Sequence, residues 1–275
     1  MRLQYDPDLL DELHDVAIAA ALEASVLAHE GRRDGVEVAA TKSSLTDVVT
    51  EMDRKVEALL VDRILSRRPD DGILGEEGSD HVGETGIRWV LDPIDGTVNY
   101  LYDHPMWSVS VAAEIDGATV VGVVAAPALG ETYVATTGRG ARLHDAAGVH
   151  PLRVNDPVEL AGALVGTGFG YTRERREAQA RVVDVVIPRV RDIRRGGSAA
   201  LDLCYVGAGR LDAYYERGPQ PWDVAAGGLV ATEAGARMEG LHGRTAGHDL
   251  ILAAGPHLFG PLHDLLARLD ADTDD

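Results

Sequence analysis

In the segment RWVLDPIDGTVNY, residues 88–100, an apolar run leads straight into two aspartates, Asp92 and Asp95, set around Pro93 and Ile94. Carboxylates three positions apart point to opposite faces of a regular strand. Proline suits the second position of a tight turn, so Pro93 can fold both acids toward one point with the Ile94 carbonyl between them. Carboxylate, carbonyl and water are the ligand set of Mg²⁺, Mn²⁺ or Ca²⁺, and no Cys/His cluster favours zinc or copper. Magnesium is the first choice. Gly96 and Thr97 come next, where glycine permits close backbone approach and a helix starting there would aim free N–H groups at an anion. Metal carboxylates beside an anion site suit phosphate-ester chemistry, in which bound metals activate water and stabilise the leaving oxygen. Standing alone, an Asp-x-x-Asp is more often a turn with solvated acids.

Two further acidic sites bear on that choice. ILGEEG, residues 73–78, sets Glu76 and Glu77 after a short apolar run, and PWDVAAGG, residues 221–228, sets Asp223 before a small-residue helix. Ala225, Ala226, Gly227 and Gly228 would let that helix approach its neighbours closely. Asp223 by itself reads equally well as a helix N-cap.

The elements that must position these residues are legible in outline. Asp6 and Pro7 read as an N-cap and first helical residue, with apolar periodicity through Leu9, Leu13, Ile18, Leu22 and Leu27 to Gly31. A second amphipathic helix runs from about Thr50 through Val56, Leu59, Leu60 and Ile64 to Arg67, stopped by Pro69. RWVLD, WSVSVAAEI, ATVVGVVAAP and ETYVATT, punctuated by Asp116-Gly117 and Leu129-Gly130, describe an antiparallel meander. From about residue 160 the strands ALVGTGF, DIRR, LDAYYE and LILAAG alternate with helices near 173–187, 198–207 and 222–235. No linker separates the halves, which gives one domain over 1–275 with sub-regions of about 1–157 and 158–275. The tail after Asp270 has nothing apolar to bury and is expected to fray.

Composition narrows the partners. The chain has 275 residues, 45% of them apolar, and 26 Lys+Arg against 45 Asp+Glu give a net charge of -19. Such a charge repels polyanions at long range, so direct nucleic-acid binding and docking on an anionic membrane are disfavoured. The single Cys204 forms no internal disulfide and indicates a reducing compartment, with the cytoplasm as the default. No apolar run reaches the roughly 18 residues of a membrane span. Eight arginines against four acids over residues 171–195 read as a solvated helical face and its exit.

Taken together, these motifs carry a family resemblance. The chain resembles the inositol monophosphatase family of magnesium-dependent, lithium-sensitive phosphatases, as a bacterial-type member. DPIDGTVNY and WDVAAGG match its two signatures, GEE stands upstream of the first, TDVVTEMD matches a further segment, and GGSAALDLCYVGAGRLDAYYE extends the similarity. Order and spacing agree from about Lys42 to Ala254. The resemblance implies an α+β fold, the layered αβαβα sandwich shared with fructose-1,6-bisphosphatases, and usually a homodimer. It implies two or three Mg²⁺ per site: one held by Glu76, Asp92 and the Ile94 carbonyl, a second by Asp92, Asp95 and Asp223, and a weaker third near Glu76. Thr97 would position the attacking water, oriented by Asp53, while Gly96 and Thr97 N–H groups cradle the phosphate. Asp95, Gly197, Ser198, Ala199 and Glu216 would read substrate hydroxyls, with Lys42 near the metal region. Pairing of Glu216 with Arg217 or Arg194 is the plainer alternative for that residue. Tyr100, Gly170 and His104 depart from or add to the pattern; the Tyr100 hydroxyl is expected to change nothing, Gly170 to loosen a loop, and His104 to pack. The activity implied is hydrolysis of myo-inositol monophosphate to inositol and phosphate. Alternatives are histidinol phosphate, fructose 1,6-bisphosphate or a 3′-phosphoadenosine nucleotide as substrate, and, in another class, a binding factor of the RNA machinery.

Overall fold

The structure, a computed structural model, describes residues 5–33, 38–41 and 48–274; Lys42 lies outside them. Asp6 accepts a hydrogen bond from Asp8 N at 3.0 Å and leads into α1 (Pro7–Arg33). Its buried stripe is largely alanine (Ala17, Ala20, Ala21, Ala24, Ala28) beside Leu10 and Leu13, whereas Leu22 faces solvent. Of the predicted stripe, Leu13 is buried and Leu9, Ile18 and Leu27 pack against the core, so only Leu22 lies off the face, which the alanines fill where helix and sheet approach closely. β1 (Val38–Thr41) and β2 (Val48–Thr50) pair antiparallel ahead of α2 (Glu51–Arg67). Thr50 caps that helix: Asp53 Oδ2 accepts Thr50 N at 2.9 Å, and Thr50 Oγ1 accepts Met52 N at 3.2 Å.

The first large sheet follows, from β3 (Gly72–Gly75), β4 (Asp80–His81) and β5 (Ile87–Asp95), through the single-turn helix α3 (Thr97–Leu101), to β6 (Ser108–Ile115), β7 (Ala118–Ala126), β8 (Glu131–Thr136), β9 (Gly140–Asp145) and β10 (Gly148–Pro151). The order is β10-β9-β8-β7-β6-β5-β3-β4, antiparallel throughout except β3 beside β5. The meander read from the sequence is its centre. The second sheet is mixed, with order β12-β11-β13-β15-β14. In chain order it comprises β11 (Leu164–Thr167), α4 (Arg173–Val186), β12 (Asp192–Arg194), α5 (Ala199–Gly207), β13 (Ala213–Glu216), α6 (Pro221–Glu233), β14 (Arg237–Glu239), β15 (Ile251–Ala254) and α7 (Pro256–Ala267).

Side-chain alternation stacks these elements into five layers. Along β5, Trp89 and Leu91 enter the core with α1 and α2, while Val90 enters the core with α5 and α6. Along β13, Tyr214 joins that same central core, and Ala213 and Tyr215 join a third core with α4 and α7. The result is the αβαβα sandwich, both sheets being covered on both faces, which explains why their strands read as near-continuous apolar runs. Small residues make the middle layer fit. A Cβ at Gly122 would meet Ala226 O at 2.7 Å, and one at Gly227 would meet Ala200 O at 2.6 Å, so α6 lies against β7 and α5 backbone to backbone. After α7 the chain does not fray as its composition implies. Ala271 and Asp272 are buried and Asp274 pairs with Arg175 and Arg217, so charged contacts dock a segment that has little apolar surface.

Candidate active site

The aspartates of DPID are brought together by a β-bulge and not by a tight turn. Asp92 pairs with Ser110 and Asp95 with Ser108, so three steps along β5 oppose two along β6. Pro93 has no N–H to give the ladder, and the extra residue moves Asp95 onto the face of Asp92. Asp92 Oδ1 accepts Ile94 N at 3.0 Å, which fixes the bulge from within. Gly96, at φ 95°, then reverses the chain; a Cβ there would sit 3.0 Å from Met106 O and 3.1 Å from Gly197 O.

Asp223 reaches the pair from the first turn of α6. Ligand oxygens of Asp92, Asp95 and Asp223 all lie within 4.8 Å of one another. Asp223 is not the N-cap. Gln220 holds that place, with Pro221 first in the helix, and Asp223 Oδ2 accepts Gln220 N at 2.7 Å while its carboxylate faces the cluster. Burial drives the Asp92 carboxyl far above its ordinary value, and Glu76, Asp95 and Asp223 add to the effect. Asp223 rises for the same leading reason, followed by the charge of Asp95. Asp95 is raised by burial to about 6, against hydrogen bonds that favour its charged form. Those come from the start of α5: Ser198 Oγ at 2.5 Å, Ala200 N at 2.8 Å and Ala199 N at 3.3 Å. Gly197 and Ser198 to Ala199 are thus placed against the cluster by Asp95 itself.

A cavity of about 570 Å³ opens over this centre. Glu76, Asp92, Ile94, Asp95, Gly96, Thr97, Gly197, Ser198, Ala199, Glu216 and Asp223, all picked out from sequence, line it. Asp53 lies behind the wall: Thr97 Oγ1 stands 3.1 Å from both Asp53 Oδ1 and the Ile94 carbonyl, and its one proton serves either acceptor. Burial raises Asp53 to about 6. Glu216 pairs with neither Arg217 nor Arg194. Arg194 turns to Asp192 at 2.5 Å and Arg217 to Asp274, while Tyr214 donates its hydroxyl to Glu216. Burial raises the Glu216 carboxyl. His104 is exposed, its Nδ1 facing Met106 N at 3.3 Å, so it braces a turn and does not pack. Tyr100 uses its hydroxyl, donating to Ala28 O at 2.8 Å and tying α3 to α1.

Three supporting residues escaped the sequence reading. Glu57, buried in α2, accepts Glu77 N at 2.7 Å and Ser79 N at 3.0 Å, and so holds the loop that carries Glu76. Its signal was an acid in phase with Asp53, Leu60 and Ile64 on the buried helix face. Asn99 Nδ2 donates to Met106 O at 2.5 Å and Gly196 O at 2.9 Å, joining the two loops that flank Gly96. Asp202, buried on α5 and lining the cavity, is raised by burial to about 8, with Asp95 and Glu216 adding to the shift. No local pattern marks either of the last two, since their partners are brought in by tertiary contact.

Comparison with known proteins agrees with this geometry. The chain is 51% identical over 242 residues to the inositol-1-monophosphatase SuhB of Mycobacterium tuberculosis, a match that covers 86% of this chain and 82% of that protein. A solved structure of Mycobacterium tuberculosis SuhB superposes with a TM-score of 0.80 at 45% identity, covering 95% of this chain and 98% of the other. A protein named Nus factor SuhB from Pasteurella multocida is 38% identical over 257 residues, covering 90% and 93%. The profile of the inositol monophosphatase family matches residues 9–269, and with relatives at this identity the chain belongs to that family.

Proposed function

We propose that this phosphatase hydrolyses myo-inositol monophosphate to inositol and phosphate by direct attack of water, using two or three Mg²⁺. The observation that carries the reading is the convergence of Asp92, Asp95 and Asp223 within 4.8 Å, mostly buried, from two distant parts of the chain. Buried carboxylates facing one another are a charge without compensation, and an all-oxygen donor set fits a hard divalent cation. Glu76, Asp92 and the Ile94 carbonyl would hold one ion, Asp92, Asp95 and Asp223 the second. Bound there, magnesium polarises a phosphate oxygen and lowers the pKa of water.

The remaining work falls to the chain. Thr97 would orient the attacking water through its hydroxyl, with Asp53 fixing the Thr97 rotamer and Glu76 taking the proton. Gly96 and Thr97 N–H groups would receive the phosphate, and their placement in advance lowers the barrier without a side-chain nucleophile. Cys204, fully buried in α5, has no access to substrate. Glu216, Asp95 and the Gly197–Ala199 backbone would accept and donate to ring hydroxyls.

The printed name of the Pasteurella relative favours a second reading, a binding factor of the transcription machinery. The intact acidic centre supports the enzyme, and a net charge of -19 opposes direct RNA contact. A cytoplasmic location and a homodimer accompany the reading as proposals; no helix among the described residues is long and apolar enough to cross a membrane. Phosphate release from inositol 1-phosphate, histidinol phosphate, fructose 1,6-bisphosphate and 3′-phosphoadenosine 5′-phosphate, each with and without Mg²⁺, tests it. Magnesium-dependent release strongest on inositol 1-phosphate upholds the assignment, and no release from any ester refutes it.

A further inference from the structure

Asp202 is a buried acid in the first turn of α5 that the reaction does not use. It is not needed to start the helix, because Ser198 already caps α5 by accepting Leu201 N at 3.3 Å. Nor does it belong to the cluster of Asp92, Asp95 and Asp223. What its carboxylate meets is backbone. The N–H of Gly196, in the loop before α5, donates toward it, and a Cβ at Gly196 would sit 2.5 Å from Oδ1 and 2.9 Å from Oδ2. Only glycine fits against this acid.

The next peptide is held from the other side, where Asn99 Nδ2 donates to Gly196 O at 2.9 Å. Gly197 follows at φ 94°, and a Cβ there would lie 2.8 Å from Asn99 Nδ2. Ser198 Oγ, Ala199 N and Ala200 N then donate to Asp95. Gly197 thus spans two anchors. Two successive glycines without the first anchor have a wide range of backbone conformations, and a substrate that must order them binds less tightly. Asp202 N also donates to Ser198 O at 3.0 Å, so the acid and the loop it holds share one helical turn. Resting on the proposed phosphatase reading, we propose that Asp202 is a positioning residue for substrate hydroxyls. Through Gly196 it fixes the Gly197–Ala199 backbone in the frame of α5, and so sets the affinity for a polyol phosphate while the phosphate and metal contacts stay with other residues.

The test compares inositol 1-phosphate with phenyl phosphate, which has no ring hydroxyls, in Asp202→Ala and Asp202→Asn. Asp202→Ala is expected to raise KM for inositol 1-phosphate about tenfold, the scale of one hydrogen bond to a charged group. Its kcat should stay within about twofold, the signature of lost ground-state binding. Phenyl phosphate should change much less in either constant. Asp202→Asn keeps an acceptor for Gly196 N and should restore the wild-type KM. Asp202→Leu stands in if the alanine variant does not fold. Equal changes on both esters, or an unchanged KM for inositol 1-phosphate, overturn the proposal. If wild type releases phosphate from neither ester, the phosphatase reading fails on its own, and amide hydrogen exchange decides the clamp. The Gly196 N–H should exchange slowly in wild type and Asp202→Asn, and at least about tenfold faster in Asp202→Ala. Equal exchange in all three proteins overturns it.

Discussion

Replacing Asp95 by asparagine should make the metal-free protein more stable while abolishing its turnover. Burial raises the Asp95 carboxyl from its ordinary 3.8 to about 6. At 1.36 kcal/mol per pKa unit, the ionised carboxylate at pH 7.5 costs the metal-free fold about 3 kcal/mol. Asparagine is nearly the same size and keeps one acceptor oxygen for Ser198 Oγ and Ala200 N, now at 2.5 and 2.8 Å. It loses the acceptor facing Ala199 N at 3.3 Å, where an amide NH₂ meets a donor, at a cost of about 1–2 kcal/mol. The net gain is about 1–2 kcal/mol, or roughly 2–8 °C in Tm. Relief of the charges on Asp92 and Asp223, which Asp95 repels, acts in the same direction.

Thermal unfolding in EDTA and in saturating Mg²⁺, alongside phosphate release, reads all three consequences. Wild type should gain stability on adding magnesium and the variant much less, with kcat lower by about 10²-fold or more, the scale of losing one electrostatic contact to the reacting group. A variant less stable than wild type in EDTA refutes the claim that Asp95 is a strained carboxylate. Wild-type turnover refutes its place as a ligand.

Three other outcomes follow from neighbouring groups. Glu57→Ala removes two charge-assisted hydrogen bonds to the Glu76 loop, so stability should fall by about 3–5 kcal/mol and the magnesium concentration for half-maximal activity should rise; unchanged magnesium dependence in urea-titrated, folded variant refutes the positioning role. Asp71→Ala strips a buried carboxylate that binds Arg68 Nε at 3.0 Å, Thr85 Oγ1 at 2.7 Å and Trp89 Nε1 at 2.9 Å, and should cost about 3–5 kcal/mol with the magnesium requirement of the surviving enzyme intact. Asp53, Asp95 and Asp202 have folded values raised to about 6, 6 and 8. A raised carboxyl contributes stability that is complete below its unfolded value near 3.8 and lost as pH rises through the folded value. The urea midpoint in EDTA should therefore drop between pH 5 and 8, and a midpoint that rises across that window contradicts the burial argument.

The sequence exposed the layers and most of the centre because both were written locally. Hydrophobic runs bounded by Asp116-Gly117 and Leu129-Gly130 specify a meander whatever lies around it, and DPIDG with WDVAAGG carries the three clustered aspartates. What stayed hidden depends on distant partners. The tail after Asp270 has no apolar signal because Arg175 and Arg217 hold it by charge. The bulge at Pro93 looked like a turn, since only the register against Ser108 and Ser110 distinguishes the two. Asn99 looked like one more polar residue until Gly196 and Met106 closed on it.

Burial alone does not separate the acids that act from those that brace. Asp71 and Glu57 are as buried as Asp92, yet each points its oxygens at N–H and O–H donors and so is satisfied within the protein. Asp92 spends one oxygen on Ile94 N and otherwise looks toward Glu76, Asp95 and Asp223, acids that together with burial hold its carboxyl far above the ordinary value. A fold that keeps such an arrangement forgoes stability that an Asn, Ser or Leu would restore, and it does so in a cavity wide enough for a small ester. The deficit is local and a bound cation would cancel it, whereas most of the net charge of -19 is spread over solvated surface and needs no partner. Sign and placement, more than number, mark the centre. Divalent cations held by Asp92, Asp95 and Asp223 would reverse the field in the cavity and admit the phosphate that the surface charge turns away.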